Sequence, residues 1–266
     1  MLNADEPSWE KFIQENPTFP AIYYKAWQML PELILATTPS EGDTAGMVIF
    51  QLMTASISDF DDIMLLACKN GHLGALKLLR CAFERAVTLK YFAQNPTEAE
   101  TFVDFDALDW QRILMSIEGK TGLRMPEQSR TNLNRAADQA RKKFRQEPCE
   151  RCGMRKQTTW TPRSARDLAT RAGMDYMFFD AFELPSKFIH PTYWGTRQAI
   201  SSPPMYNTLK HAHEILLETI LVHPRYFRPA EPISQTVLGV VDDFFLIWKY
   251  AETDFGFPGR FKQVQL

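Results

Sequence analysis

A chain of 266 residues, 45% hydrophobic and 23% charged with a formal net charge of −2, has the make-up of a folded globular protein with material for a large core. The near-zero charge balance excludes a chain-wide electrostatic footprint for nucleic acid or a membrane surface. No segment reaches the roughly 18 uncharged apolar residues that a membrane span needs, and the most apolar window, 236–250, is interrupted by Asp242 and Asp243.

The N-terminal stretch MLNADEPSWEKF is acidic and has no apolar signal region, which predicts a cytoplasmic protein. Residues 8–14 give a short amphipathic turn with Trp9, Phe12 and Ile13 on one side. Residues 21–37 continue as a helix through Trp27, Leu30 and Ile34, kinked or divided at Pro31. After the turn at 38–42, the spacing of Ile49, Met53, Ile57, Phe60, Ile63 and Met64 predicts a long helix over 44–69. Its acids Asp59, Asp61 and Asp62 point in different directions around a helix, so they are read as a solvated face and not as a metal site.

The stretch 71–95 is the organising element. It is apolar on nearly every side (Leu73, Leu76, Leu79, Phe83, Val87, Tyr91, Phe92) and is stopped by Pro96. A helix that is hydrophobic all round is a buried central one. Arg80 falls inside this stripe with Glu84 one turn later, which predicts a buried ion pair tying helices together. The alternative role is a guanidinium for phosphate or carboxylate, positioned by the Glu.

A helix over 97–117 follows. Residues 127–145 form a polar, peripheral helix with Arg130, Arg135, Arg141, Lys142, Lys143 and Arg145. This is the dense basic segment, and 130–145 is the first place to look for an RNA or nucleotide ligand. Residues 148–162 are an irregular insertion. Its Cys149-x-x-Cys152-Gly153 has half of a four-ligand zinc set, and no second Cys-x-x-Cys exists, so neither a metal nor a cofactor is expected. Residues 164–172 form a short helix stopped by Gly173. The aromatic segment 175–184 is broken at Pro185, and 186–190 make a last turn. Ser186 stands one turn before His190, whose following Pro191 places it at a helix C-terminus. A Ser–His pair can be a nucleophile and its base, but no nucleophile elbow accompanies it. Helices over 205–222, ended by His223-Pro224, and 233–252 complete the chain. No alternating run or hairpin signal is present, so the fold class is all-α, a multi-helix bundle around 71–95 read as one domain over 1–266.

LLRCAFERAVTLKYFAQNPTEAETFVDFDALDW, with its Arg-x-x-x-Glu, Asn-Pro and Phe-x-Asp, resembles the core of a bacterial all-helical family of unknown function, catalogued as number fifty-six seventy-seven. WTPRSARDLATRAGMDYMFFDAFELPSKFIHPT is similar to its second signature. The resemblance spans about 71–192 and carries over Arg80, Glu84, Trp160, Gly173, Tyr176, Ser186, His190 and Pro191. It implies an all-helical fold but no established activity. The helical build is also loosely similar to HEPN nucleotide-binding and ribonuclease domains, although no Arg stands four to six residues before His190. Two functions stay open. One is a non-catalytic binding or interaction module, in a defence or toxin-like setting and with a homodimer open. The other is a metal-independent HEPN-like nuclease with Arg80, Glu84, Ser186 and His190 as its catalytic set.

Overall fold

The computed structural model describes residues 6–15, 39–144, 159–189 and 205–227, together with single helical residues between 24 and 34 and between 235 and 242. The protein is all-α, with no strand among the described residues. The helices are α1 (Glu6–Glu15), α2 (Thr44–Cys68), α3 (His72–Gln94), α4 (Thr97–Thr121), α5 (Glu127–Lys143), α6 (Ala165–Arg171), α7 (Leu184–Ile189) and α8 (Met205–Tyr226). A 3-10 turn (Asp175–Met177) and a π turn (Phe179–Glu183) connect α6 to α7.

α3 lies at the centre, as its all-round hydrophobicity predicts. It packs against α2, α8, α6, α7 and the π turn. It buries Leu79, Phe83, Ala86, Leu89, Tyr91 and Phe92 almost completely. α2 and α3 are joined by a tight reversal that the sequence dictates. Asn70 takes the left-handed conformation (φ 56°), a short polar side chain's tolerated exception. The Gly71 N–H then reaches the Leu66 carbonyl at 2.7 Å and the Asn70 N–H reaches Ala67, so the last carbonyls of α2 are satisfied. The N-terminus of α2 is capped by Asp43, whose Oδ1 accepts from the Gly46 N–H at 2.8 Å. A Cβ at Gly46 would lie 2.2 Å from Asp43 Oδ2, so a larger residue there would displace the capping carboxylate. Tyr226, at the end of α8, donates to the same Asp43 carboxylate.

Several expectations are corrected here. Asp59 is not on a solvated face: it is buried and paired with Arg85 of α3 across the α2–α3 contact. Asp62 is exposed. Pro185 does not break the aromatic segment. The chain widens into a π turn, with the Leu184 N–H reaching back to Phe179, and Pro185 enters the first turn of α7, where a missing N–H costs nothing. Pro224 does not end α8, which runs on to Tyr226 and is closed by the Phe227 N–H on the His223 carbonyl at 2.9 Å. His223 is therefore a fully buried residue inside the helix.

α4 and α5 form an antiparallel pair that leaves the bundle. α4 touches α2 and α3 near its start, whereas α5 packs against α4. Together they bury only Ala99, Phe105, Ala137 and Ala140. No helix among the described residues is long and apolar enough to cross a membrane. The predicted helix 233–252 lies almost wholly outside the described residues, as does the Cys149–Cys152 motif.

Candidate functional site

The segment 175–189 lies along α3 and touches α8, and it carries functional side chains on two sides. On the α3 side, the Arg80 guanidinium sits over the Phe182 ring, 4.7 Å from its centroid. Its Nη2 lies 3.4 Å from Glu84 Oε1, one helical turn along. The Arg80 Nε is buried and has no hydrogen-bond partner among the described residues. The Ser186 hydroxyl donates back to the Phe182 carbonyl. Arg80 thus meets the ring of Phe182 and Ser186 its backbone carbonyl, while Glu84 contacts Arg80 alone. His190 lies outside the described residues.

The sequence-predicted burial of this pair is wrong. The Arg80 side chain is 21% exposed and that of Glu84 46% exposed. Periodicity places Arg80 within the apolar stripe, but Phe182 covers the stripe there and the guanidinium stands over its ring, partly in solvent.

On the α8 side lies a polar seam that the sequence reading passed over. Lys90 of α3 is buried and its Nζ is 2.5 Å from Glu218 Oε2. The Tyr176 hydroxyl donates to the other oxygen of Glu218 at 3.3 Å. Burial of that hydroxyl, and then the negative charges of Glu218 and Glu214, push its pKa far above the ordinary tyrosine range. Tyr176 is therefore a neutral hydrogen-bond donor at neutral pH, although its ring is exposed on one side. Two turns before Glu218, the His211 Nδ1 is 2.7 Å from the buried Glu214 carboxylate, and its Nε2 faces Asp180 of the π turn at 3.6 Å. His213 points elsewhere, against the Phe60 ring and the Leu209 carbonyl.

The signal for this seam is in the sequence. His211, Glu214 and Glu218 are three and four residues apart on one face of α8, and Lys90 is a charge among the large apolar residues Leu89, Tyr91 and Phe92 of α3. A histidine between two carboxylates, beside a Lys–Glu pair and a tyrosine, could shuttle protons. Here these groups hold one another and join α3, the π turn and α8. Among the described residues no three His, Cys, Asp or Glu side chains are placed to share a metal ion.

The other residues singled out by sequence support this segment. Trp160 packs among Tyr91, Phe92 and Phe102. Gly173 (φ 69°) closes α6, with its own N–H on Thr170 and the Met174 N–H on Ala169. That reversal sets the direction in which Tyr176 leaves α6.

The sequence model of a family of unknown function (DUF5677) matches residues 46–204, more than half of the chain. The chain belongs to this family. No curated protein and no solved structure matches it. The family span begins in α2 and stops just before α8, wider at both ends than the 71–192 over which the motifs are legible. It includes Arg80, Glu84, Lys90, Tyr176, Asp180 and Ser186. His211, Glu214 and Glu218 lie beyond it, so the polar seam joins family residues to partners contributed by α8.

Proposed function

We propose that this DUF5677 chain is a non-catalytic helical interaction module and that its working surface is the α4–α5 arm. The observation that supports this reading is the arm itself. One face of α4 exposes Val103, Trp110, Ile113 and Ile117, and the two helices of the arm bury almost nothing of their own. Contiguous apolar surface of this kind marks an interaction site. Between the two helices opens a cavity of about 370 Å³ of mixed lining, with Leu114, Met125 and Leu133 beside Gln111, Glu118 and Arg130. The acid–base groups of the α3–α8 seam, by contrast, engage one another.

The basic helix α5 fits an RNA ligand less well than its sequence suggests. Arg130 binds Glu118 at 2.8 Å, Lys143 pairs with Asp104, and Arg141 reaches Asp138 and Gln111. Most of its charge is thereby spent on α4 and on α5 itself.

The second reading, a metal-independent nuclease using His190, Arg80 and Glu84, draws on the solvent-reachable guanidinium of Arg80. The two are separated by incubating purified protein with RNA and with nucleotides. The expected outcome is no turnover. Turnover by wild type that disappears in a His190→Ala variant melting like wild type overturns the binding reading.

A further inference from the structure

We propose that the exposed face of α4 is a two-fold interface that joins two copies of this chain, a step that rests on the reading of the arm as an interaction surface. Val103, Asp106, Trp110, Ile113, Ile117 and Lys120 follow one another at alternating spacings of three and four residues. That alternation is the seam of a left-handed helix pair. Ala99, one step earlier on the same face, is fully buried under the bundle. From Val103 onward the face runs clear of it, with Trp110 50% and Ile113 43% exposed.

The two charges in the seam identify the occupant. Asp106 stands toward one end and Lys120 at the other, and both are exposed. In a parallel pair, like charges would meet. In an antiparallel pair that sets Trp110 level with Ile113 of the second copy, Asp106 comes within one turn of the second copy's Lys120, about 4.5 Å along the axis. The two-fold repeats that contact at the other end. The face is thus complementary to itself in one orientation, which is what an isologous interface requires. Aspartate and lysine at seam positions cost affinity but fix register and direction.

Sedimentation of the full-length chain tests this. Wild type is expected to be a dimer at micromolar concentration. Ile113→Asp should weaken it at least about 30-fold, in the range of a central interface residue. Gln139→Asp, which puts a charge at an exposed position of α5 away from the α4 seam, should leave it intact. Asp106→Lys and Lys120→Asp should each weaken the dimer, and the two together should restore it. Thermal melts of each variant establish that the fold is kept. A monomeric wild type, a dimer indifferent to Ile113→Asp, or a charge swap that restores nothing would each overturn the proposal. A monomer that turns over no RNA would leave the interaction-module reading standing with a different partner, whereas RNA turnover lost in His190→Ala would sink that reading whatever the mass.

Discussion

Lys90 and Arg80 are both cations on α3, yet their environments predict opposite responses to mutation. Lys90 is buried against Glu218, and the same carboxylate accepts from Tyr176. Removing the ammonium alone strands a carboxylate in a desolvated place, so Lys90→Met should cost about 3–5 kcal/mol. Adding Glu218→Gln, which keeps an acceptor for Tyr176, should return much of that loss, because the uncompensated charge is gone. Arg80 makes an i,i+4 contact to a half-exposed Glu84 and a stacking contact to Phe182. The first is worth about 0.3–0.5 kcal/mol and the second about 0.5–1, so Arg80→Ala should cost only about 1 kcal/mol. Denaturant titration of the three variants checks the contrast. Equal losses for Lys90→Met and Arg80→Ala would mean that burial does not separate these two cations.

At the scale of elements, what could be read ahead was what local chemistry decides. The Leu/Phe pattern of α3, the Asn70-Gly71 reversal and the Gly173 stop all act within a few residues, and the helices fall where those signals put them. The failures share one physical origin. Pro185 and Pro224 are local breakers overridden by packing: Pro185 is buried in the first turn of α7, and α8 carries buried residues up to His223 before its proline. Arg80 was placed too deep because its cover, Phe182, lies a hundred residues away in sequence. The seam was missed because its meaning depends on α3, the π turn and α8 meeting, which no single periodicity encodes. The Gly173 stop yields a prediction of its own. Its φ of 69° lies where a Cβ is strained, although no atom stands within 4 Å of that position. Gly173→Ala should therefore cost about 1 kcal/mol through backbone strain alone. Gly173→Asn should cost less, since asparagine tolerates this conformation. Melting curves that rank Ala at or above Asn would remove strain as the cause.

For the whole molecule, the pH dependence of stability follows from a histidine outside both constellations. His223 is fully buried on α8 beside the Phe227 ring, and neither ring nitrogen has a hydrogen-bond partner among the described residues. Burial disfavours its charged form and lowers its pKa from 6.5 to about 4. The sign is then fixed by linkage. Between these two values the unfolded chain binds a proton that the folded chain does not, so acid favours unfolding. The stabilisation is complete above about pH 6.5, declines as pH falls through the window, and is gone by about pH 4. A shift of this size corresponds to about 3 kcal/mol. Unfolding free energies measured across that window should fall for wild type and fall less, by about that amount, for His223→Leu, which fills the same apolar site without a titrating group. Parallel curves for the two proteins would show that acid acts elsewhere and that burial of this imidazole does not set the pH dependence.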